Sequence, residues 1–446
     1  MAKTLNMTQG KPMGLLARFA LPLMLGNLFQ QLYMIVDTAI VGRGVGMYAL
    51  AALGSVDWLN WMMLGFAQGF TQGFSVRVAQ KFGEDDGDGM QRFMAQAALL
   101  TGALAALCTL IGQVGLSGFL ALLQVPADLR PMAMDYTRII FAGLPGVFFF
   151  NYCSAMLRAV GDSKTPLIAM TVAALTNIVL DIVAVFVLQW GVTGAAVATV
   201  TSQCLSGLIC WVKIYGNPQL KFTKKQLRPQ GVYLKNLLQI GFPAAIKNLV
   251  IALGGMAVMA VVNAFGTAFI AGVTASNKLY GLLEIAALSY GYAITTYVGQ
   301  NYGAMRYDRI RTGMKAAAVL SAVTSVVIAL LMFLLGRQIT MLFISGEDPA
   351  LVREAGTVAY RYLCTMAICL PVLYGLYFFM SVLQGLGDTV RPMVSGIVEL
   401  GMRLLVAGLV AYTGYASGIF LAEVGAWIGS TVYLSYHCCK RMRVLK

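Results

Sequence analysis

Twelve apolar runs, each roughly twenty residues or longer, follow one another along this chain of 446 residues. They lie near 15–41, 48–76, 93–123, 133–157, 165–189, 194–215, 237–262, 268–298, 314–344, 356–383, 392–412 and 417–437. A helix needs about 20 apolar residues to cross about 30 Å of hydrocarbon. A membrane barrel would instead alternate apolar and polar residues over segments of about 10. These runs are continuous and rich in Ala, Leu, Val and Gly, so they predict helices. A soluble domain is about 45–50% apolar and about 25% charged; this chain is 59% and 11%, with mean hydropathy +0.76. No globular core hides that much apolar surface, and a disordered chain needs the opposite composition. The expected fold class is an all-α integral membrane protein with twelve transmembrane helices.

The net charge of +14 reads as topology, since Lys and Arg mark the cytoplasmic side. With the N-terminus inside, 23 of the 32 Lys and Arg fall on inside segments and their flanks, and 6 fall outside. Lys247, Lys278 and Arg403 remain within spans. This predicts a multi-pass protein of the inner (plasma) membrane with both termini cytoplasmic. Its partners are the lipid bilayer and small molecules, with no nucleic acid. The segment from Met1 to Lys11 is too short and polar for a cleavable signal. The eight cysteines form no Cys-x-x-Cys, and His437 is the single histidine, which argues against a disulfide framework or zinc site. There is no Gly-x-x-x-x-Gly-Lys-Ser/Thr for nucleotide hydrolysis and no nucleophile–base pair, so neither an enzyme nor a bound cofactor is expected. No oligomerisation signal is legible.

The longest polar connection, 216–235, sits at mid-chain and invites comparison of the halves. Phe19-Ala20-Leu21-Pro22 matches Ile240-Gly241-Phe242-Pro243 at an offset of 221. Gln80-Lys81-Phe82-Gly83 matches Gln300-Asn301-Tyr302-Gly303 at 220, and Gly161-Asp162 with Pro166 matches Gly387-Asp388 with Pro392 at 226. The expected organisation is an N-lobe at 1–215, a linker at 216–236 and a C-lobe at 237–446. Each lobe has six spans in the same membrane orientation. Two such lobes around a central cleft suit alternating access by rocking, the architecture of a transporter.

Charges inside spans cost roughly 2.5–3.5 kcal/mol each on insertion scales and are functional candidates by default. Asp37 lies in the outer half of span 1. In span 5, Asn177 and Asp181 share a helix face at i, i+4, and Asp181 sits at a depth similar to Asp37. Two carboxylates at one depth can share a proton, or with amide and hydroxyl oxygens can hold Na⁺. Equally, they can be a structural cluster tying spans 1 and 5 together. Asp57, beside Trp58 and Trp61, reads as interfacial. In the second half Glu399 and Arg403, again i, i+4, read as a neutral pair. Lys247 and Glu284 either pair or face the cleft. By the 226 offset Ala407 stands where Asp181 does, so the acidic site has no second-half counterpart. Both Gly-Asp-x-x-x-Pro segments read as turns in which Gly ends a helix, Asp caps the next and Pro suits its first turn.

The Leu21-Pro22 entry to span 1, QQLYMIVDTAIVG ending beyond Asp37, Gly-Gln-Asn-Tyr-Gly at 299–303 and the two Gly-Asp-x-x-x-Pro turns together resemble the multidrug and toxic compound extrusion (MATE) family. The resemblance covers essentially the whole chain. It implies secondary antiport, in which bulky amphipathic and often cationic organic compounds leave as Na⁺ or H⁺ enters. It implies a coupling site of Asp37, Asn177, Asp181 and Thr199, with Tyr136 nearby; the first four would be the Na⁺ ligands if Na⁺ is the ion. Some members carry a carboxylate after the proline of span 7, where this chain reads Ala-Ala-Ile-Lys-Asn-Leu-Val-Ile, which favours coupling in the first lobe. The competing expectation is a lipid-linked oligosaccharide flippase of the same superfamily. That activity requires a strongly cationic cleft, and only three cations lie within spans.

Overall fold

The computed structural model describes residues 5–341, 344 and 349–445, and these are almost wholly helical, with no strand among them. The first half runs α1 (Pro12–Gly44), α2 (Met47–Gly83), α3 (Gly87–Leu122), α4 (Arg130–Ala142), α5 (Leu144–Ala159), α6 (Lys164–Ile182) and α7 (Gly191–Tyr215). A π-helical stretch, Val183–Val187, extends α6. The second half runs α8 (Gly231–Val262), α9 (Thr267–Gly303), α10 (Tyr307–Met341), α11 (Pro349–Ile368), α12 (Leu370–Gly385), α13 (Val390–Thr413) and α14 (Leu421–Val444), with a 3-10 turn, Ala416–Phe420, before α14. Of the expected ninth span, 342 and 343 lie outside the described residues.

The expected continuous spans at 133–157 and 356–383 are broken helices. The α4–α5 pair bends by 45° and the α11–α12 pair by 50°. Pro145 and Pro371 stand in the first turn after each break, 226 residues apart. Each lacks an N–H, and its ring clashes with the carbonyl four residues back. Pro22 and Pro243, by contrast, lie inside unbroken α1 and α8.

Eight helices are long and apolar enough to cross a membrane, and the two bent pairs bring the number to ten among the described residues. The remaining two of the twelve expected spans correspond to α2 and α9. Each has 37 residues, ample length, with polar residues interrupting its apolar stretch. Much of that polarity is buried, with Thr71, Ser75 and Gln80 in α2 and Ser276, Thr295 and Gln300 in α9. Burial against protein removes the need for an apolar surface there.

The chain forms two compact units. The first holds Leu21–Ile246 and the described residues before Thr8; the second holds Thr8–Ala20 and the described residues from Lys247 onward. The bounds therefore run inside α1 and α8, close to Pro22 and Pro243, and the 216–236 connection belongs to the first unit. Within that unit α2 lies hard against the opening turns of α8. A Cβ on Gly69 would come 2.5 Å from the Ala245 Cα, and one on Gly73 would come 2.6 Å from the Gly241 Cα. Such close backbone approach is how small residues hold membrane helices together. Phe70, Phe74, Met94, Tyr152 and Met156 fill the core beside this crossing.

Both Gly-Asp-x-x-x-Pro segments are turns. Gly161 and Gly387 adopt left-handed backbone, φ 87 and 83. Asp162 accepts hydrogen bonds from the Lys164 and Thr165 amides, at 3.1 and 2.9 Å, and from the Thr165 hydroxyl at 2.6 Å. Asp388 accepts from the Arg391 amide at 3.2 Å and pairs with its guanidinium.

Candidate functional site

Three helices and one flanking helix bring the candidate residues of the first unit into one neighbourhood. Gln30, Tyr33 and Asp37 recur at i, i+3 and i+7, which stacks them on one face of α1. Asn177 and Asp181 do the same on α6, and Thr199 and Gln203 on α7. α6 and α7 pack along much of their length, and the π-helical stretch begins two residues after Asp181. Such stretches are frequent at functional sites.

Asp37 and Asp181 stand within side-chain hydrogen-bonding reach of each other. Asp181 is 0% exposed and Asn177 1%. Both oxygens of Asp181, one oxygen of Asp37 and both amide atoms of Asn177 find no hydrogen-bond partner among the described residues. Two ionised carboxylates are both acceptors, so their closeness yields no bond until one oxygen carries a proton. Asn177 and Thr199 line a small cavity of about 20 Å³ together with Gln30, Tyr33, Ser202, Gln203 and Ser206. That volume suits one water-sized occupant, for which about 10–15 Å³ is the minimum. The Tyr33 hydroxyl reaches Gln30 and Gln203. Tyr136, on α4, is close enough to Asp37 and Asp181 for their charges to act on it. It packs against Val41, Ala49 and neighbouring apolar residues, and no direct bond joins it to either carboxylate.

Asp37 and Asp181 thus approach each other, Asn177 and Thr199 share the adjoining cavity, and Tyr136 lies within range of the carboxylates' charge but bonds to neither. Gln30, Tyr33 and Gln203 are additions, legible in principle as polar residues recurring at helical spacing within apolar runs. Among the described residues no three of His, Cys, Asp and Glu gather. Two carboxylates with amide and hydroxyl oxygens suit a proton or a hard monovalent cation, not a transition metal.

The buried charges of the second unit form different partnerships. Arg403 on α13 is 4% exposed, and its closest partner is Glu423 on α14 rather than Glu399. Nε donates to Glu423 Oε1 at 3.0 Å and Nη2 to Oε2 at 2.7 Å, a two-pronged pair, with Glu399 standing at 3.6 Å. The i, i+4 pair expected from spacing exists as the outer contact of a triad. Spacing along one helix does not reveal Glu423, which lies 20 residues further on, at the start of the last span. Glu284 accepts a hydrogen bond from the Tyr377 hydroxyl, and Lys247 Nζ lies 3.0 Å from Met380 Sδ. Lys247 and Glu284 form no ion pair with each other.

A helical membrane protein made of two repeats shares its architecture with many membrane transporters. The MatE family profile matches residues 22–183 and again 243–409, and the chain belongs to that family of membrane transporters. The two matches open on Pro22 and Pro243, the first pair of repeat anchors. The chain is 27% identical to the probable multidrug resistance protein YpnP of Bacillus subtilis, with 99% of each chain covered. It is 26% identical to the probable multidrug resistance protein NorM of Thermotoga maritima, covering 93% of this chain and 88% of that one. A FAD transporter of Shewanella oneidensis is 24% identical, over 92% and 90%. Among solved structures, a MOP-superfamily transporter from Pyrococcus furiosus superposes with a TM-score of 0.93 at 22% identity, covering 100% of this chain and 99% of that one. An outward-facing multidrug resistance MATE transporter superposes with a TM-score of 0.92, again at 22% identity and with the same coverage. These superpositions establish the two-lobe transporter fold.

Proposed function

We propose that the protein is a multidrug efflux antiporter that exports small amphipathic, often cationic compounds in exchange for H⁺ or Na⁺, with coupling in the first unit. The observation that carries this reading is the approach of half-buried Asp37 to fully buried Asp181 beside Asn177, with five polar atoms lacking partners among the described residues. A buried polar group left unsatisfied costs about 1–3 kcal/mol. A site with several such groups is completed by a guest that supplies positive charge or a donor proton. A shared proton bridges the two carboxyls; Na⁺ would also draw on the Asn177 and Thr199 oxygens.

Occupancy then selects a conformation. Two like charges about 4 Å apart repel by about 4 kcal/mol at an effective dielectric near 20. Switching a two-state equilibrium almost completely takes about 5.5 kcal/mol of differential binding. Removing the repulsion supplies most of such a switch when the other state holds the two carboxylates apart. Exchange follows when the ion favours the state that releases drug outside and the drug favours the other. Both termini are placed in the cytoplasm on the distribution of Lys and Arg. No observation favours the flippase reading, since Arg403 is bound by two carboxylates and is not a spare cation for a pyrophosphate.

Liposomes loaded with a fluorescent cationic dye test the proposal, with Na⁺ and pH gradients imposed separately and FAD as an anionic comparison. Wild type is expected to move the dye under one gradient, and Asp37→Asn and Asp181→Asn to lose that movement while remaining folded. Gradient-driven movement that survives in both variants sinks the mechanism.

A further inference from the structure

The connection between α7 and α8 carries Lys221, Lys224, Lys225 and Arg228, all exposed. Clustered cations beside a membrane span are commonly no more than a topology signal, and such a signal requires charge but no fixed shape. This segment has a fixed shape. Gln96 of α3 is 0% exposed and gives all its bonds to the segment's main chain. Its Nε2 donates to the Gln226 and Arg228 carbonyls at 2.7 and 2.8 Å, and its Oε1 accepts from the Gln230 amide at 2.9 Å. Gln91 Nε2 donates to the Gln219 carbonyl at 3.2 Å. The Phe222 ring meets Trp211 edge-on at 6.1 Å, and Leu220 is buried.

The cations so displayed have no carboxylate. The acidic run beside them spends its charge locally, with Lys81 on Glu84 and Asp86 at 2.7 and 2.9 Å, and Arg92 on Asp88 at 2.7 Å. None of Lys221, Lys224, Lys225 and Arg228 enters an ion pair among the described residues. Lys221 Nζ instead lies 4.3 Å from the centre of the Tyr215 ring. Tyr215 ends a row of exposed residues on α7, with Leu208 and Val212, which on a membrane-crossing helix meets acyl chains. A tyrosine at the end of such a row marks the level of the headgroups.

We propose that residues 215–228 form a preshaped binding surface for the headgroups of anionic phospholipids. The unpaired cations meet the phosphates, Tyr215 sets the depth, and Gln96 holds the backbone that presents them. Basic residues at a membrane surface contribute about 1 kcal/mol each toward anionic lipid, about fivefold in affinity.

The test uses the full-length protein in bilayer nanodiscs and reads the immobilised fraction of spin-labelled phosphatidylglycerol against spin-labelled phosphatidylcholine. Wild type is expected to retain the anionic lipid preferentially. The triple change Lys221→Gln, Lys224→Gln and Lys225→Gln is expected to lower that preference by at least tenfold. Gln96→Leu, which keeps every charge and frees the segment, is expected to lower it severalfold. Equal retention of the two lipids by wild type overturns the proposal, as does an unchanged preference in the triple variant. An unchanged preference in Gln96→Leu overturns the preshaped surface, and release of the lipid by millimolar inorganic phosphate overturns the assignment to lipid. The surface lysines are remote from the buried core, so the triple variant remains readable even where Gln96→Leu fails to fold.

Discussion

Asn177 separates the two ions that the carboxylate pair can take. Its amide has no bond among the described residues and lines the cavity with Thr199. A proton needs only Asp37 and Asp181, whereas Na⁺ needs further oxygens. Asn177→Leu is therefore expected to raise the Na⁺ concentration for half-maximal dye export by tenfold or more if Na⁺ couples transport, and to leave the pH profile in place if H⁺ does. Concentration series under each gradient decide between them. In the second unit, Glu423→Gln strips the two-pronged partner from a guanidinium that is 4% exposed. Breaking a buried pair by removing one partner costs about 3–5 kcal/mol. Glu399, at 3.6 Å, takes up part of that, so a loss toward the lower end is expected as a reduced Tm in detergent. Outside the spans, Asp86 caps α3 by accepting from the Gly89 amide at 2.8 Å, and the Lys81 ammonium beside it holds its carboxyl below the usual carboxylate range. A depressed carboxyl contributes stability above its unfolded pKa, about 3.9, and loses it as pH falls through the folded value. Asp86→Asn is thus expected to be less stable than wild type at neutral pH, with the gap in Tm closing on acidification below about pH 4.

Helices meet where side chains are smallest, and this gives the elements their own test. Gly69 and Gly73 of α2 face Ala245 and Gly241 of α8 so closely that an added Cβ would strike backbone. Backbone cannot rotate away as a side-chain tip can. Gly73→Val is expected to destabilise the first unit by about 1–3 kcal/mol, the usual range for overpacking, read as a fall in Tm. The same elements show where a sequence speaks and where it is silent. Charge within an apolar span reveals Asp37 and Asp181, and i, i+4 spacing adds Asn177, whereas Thr199 and Tyr136 are pointed to only by the family resemblance. Periodicity does not reveal the bends at Gly143 and Cys369, since a proline breaks one span and sits quietly in another. Pro22 and Pro243 lie in unbroken helices, and only the packing around each proline decides the outcome. Gln30 and Gln203 are silent in the sequence for a related reason. Uncharged amides are cheap enough to bury that they do not stand out until a cavity gathers them.

At the scale of the whole molecule, the repeat is legible in the sequence, where three anchors keep nearly one offset, and the family profile matches twice at the same spacing. Hydropathy was a weaker guide. All twelve apolar runs correspond to helices or bent pairs, yet only eight helices and two bent pairs are apolar enough to cross by composition alone among the described residues; α2 and α9 carry polar residues that protein covers in part. The partnership of Arg403 with Glu423 escaped as well, since helix spacing reports neighbours on one helix and nothing of the next. Nor does the sequence foretell that α1 and α8 each serve both units, with Thr8–Ala20 in the second and Gly231–Ile246 in the first. This exchange sets a schedule for biosynthesis. Residues 8–20 leave the ribosome first and must wait for partners that begin at Lys247. At about 5–20 residues per second, that delay is on the order of 10–45 s. Throughout it the opening turns of α1 stand without their final neighbours, and the first unit stays unfinished until residue 246 has emerged. The first unit can close once residue 246 has emerged, whereas the second, which holds the earliest turns of α1, closes only as the residues from Lys247 onward follow.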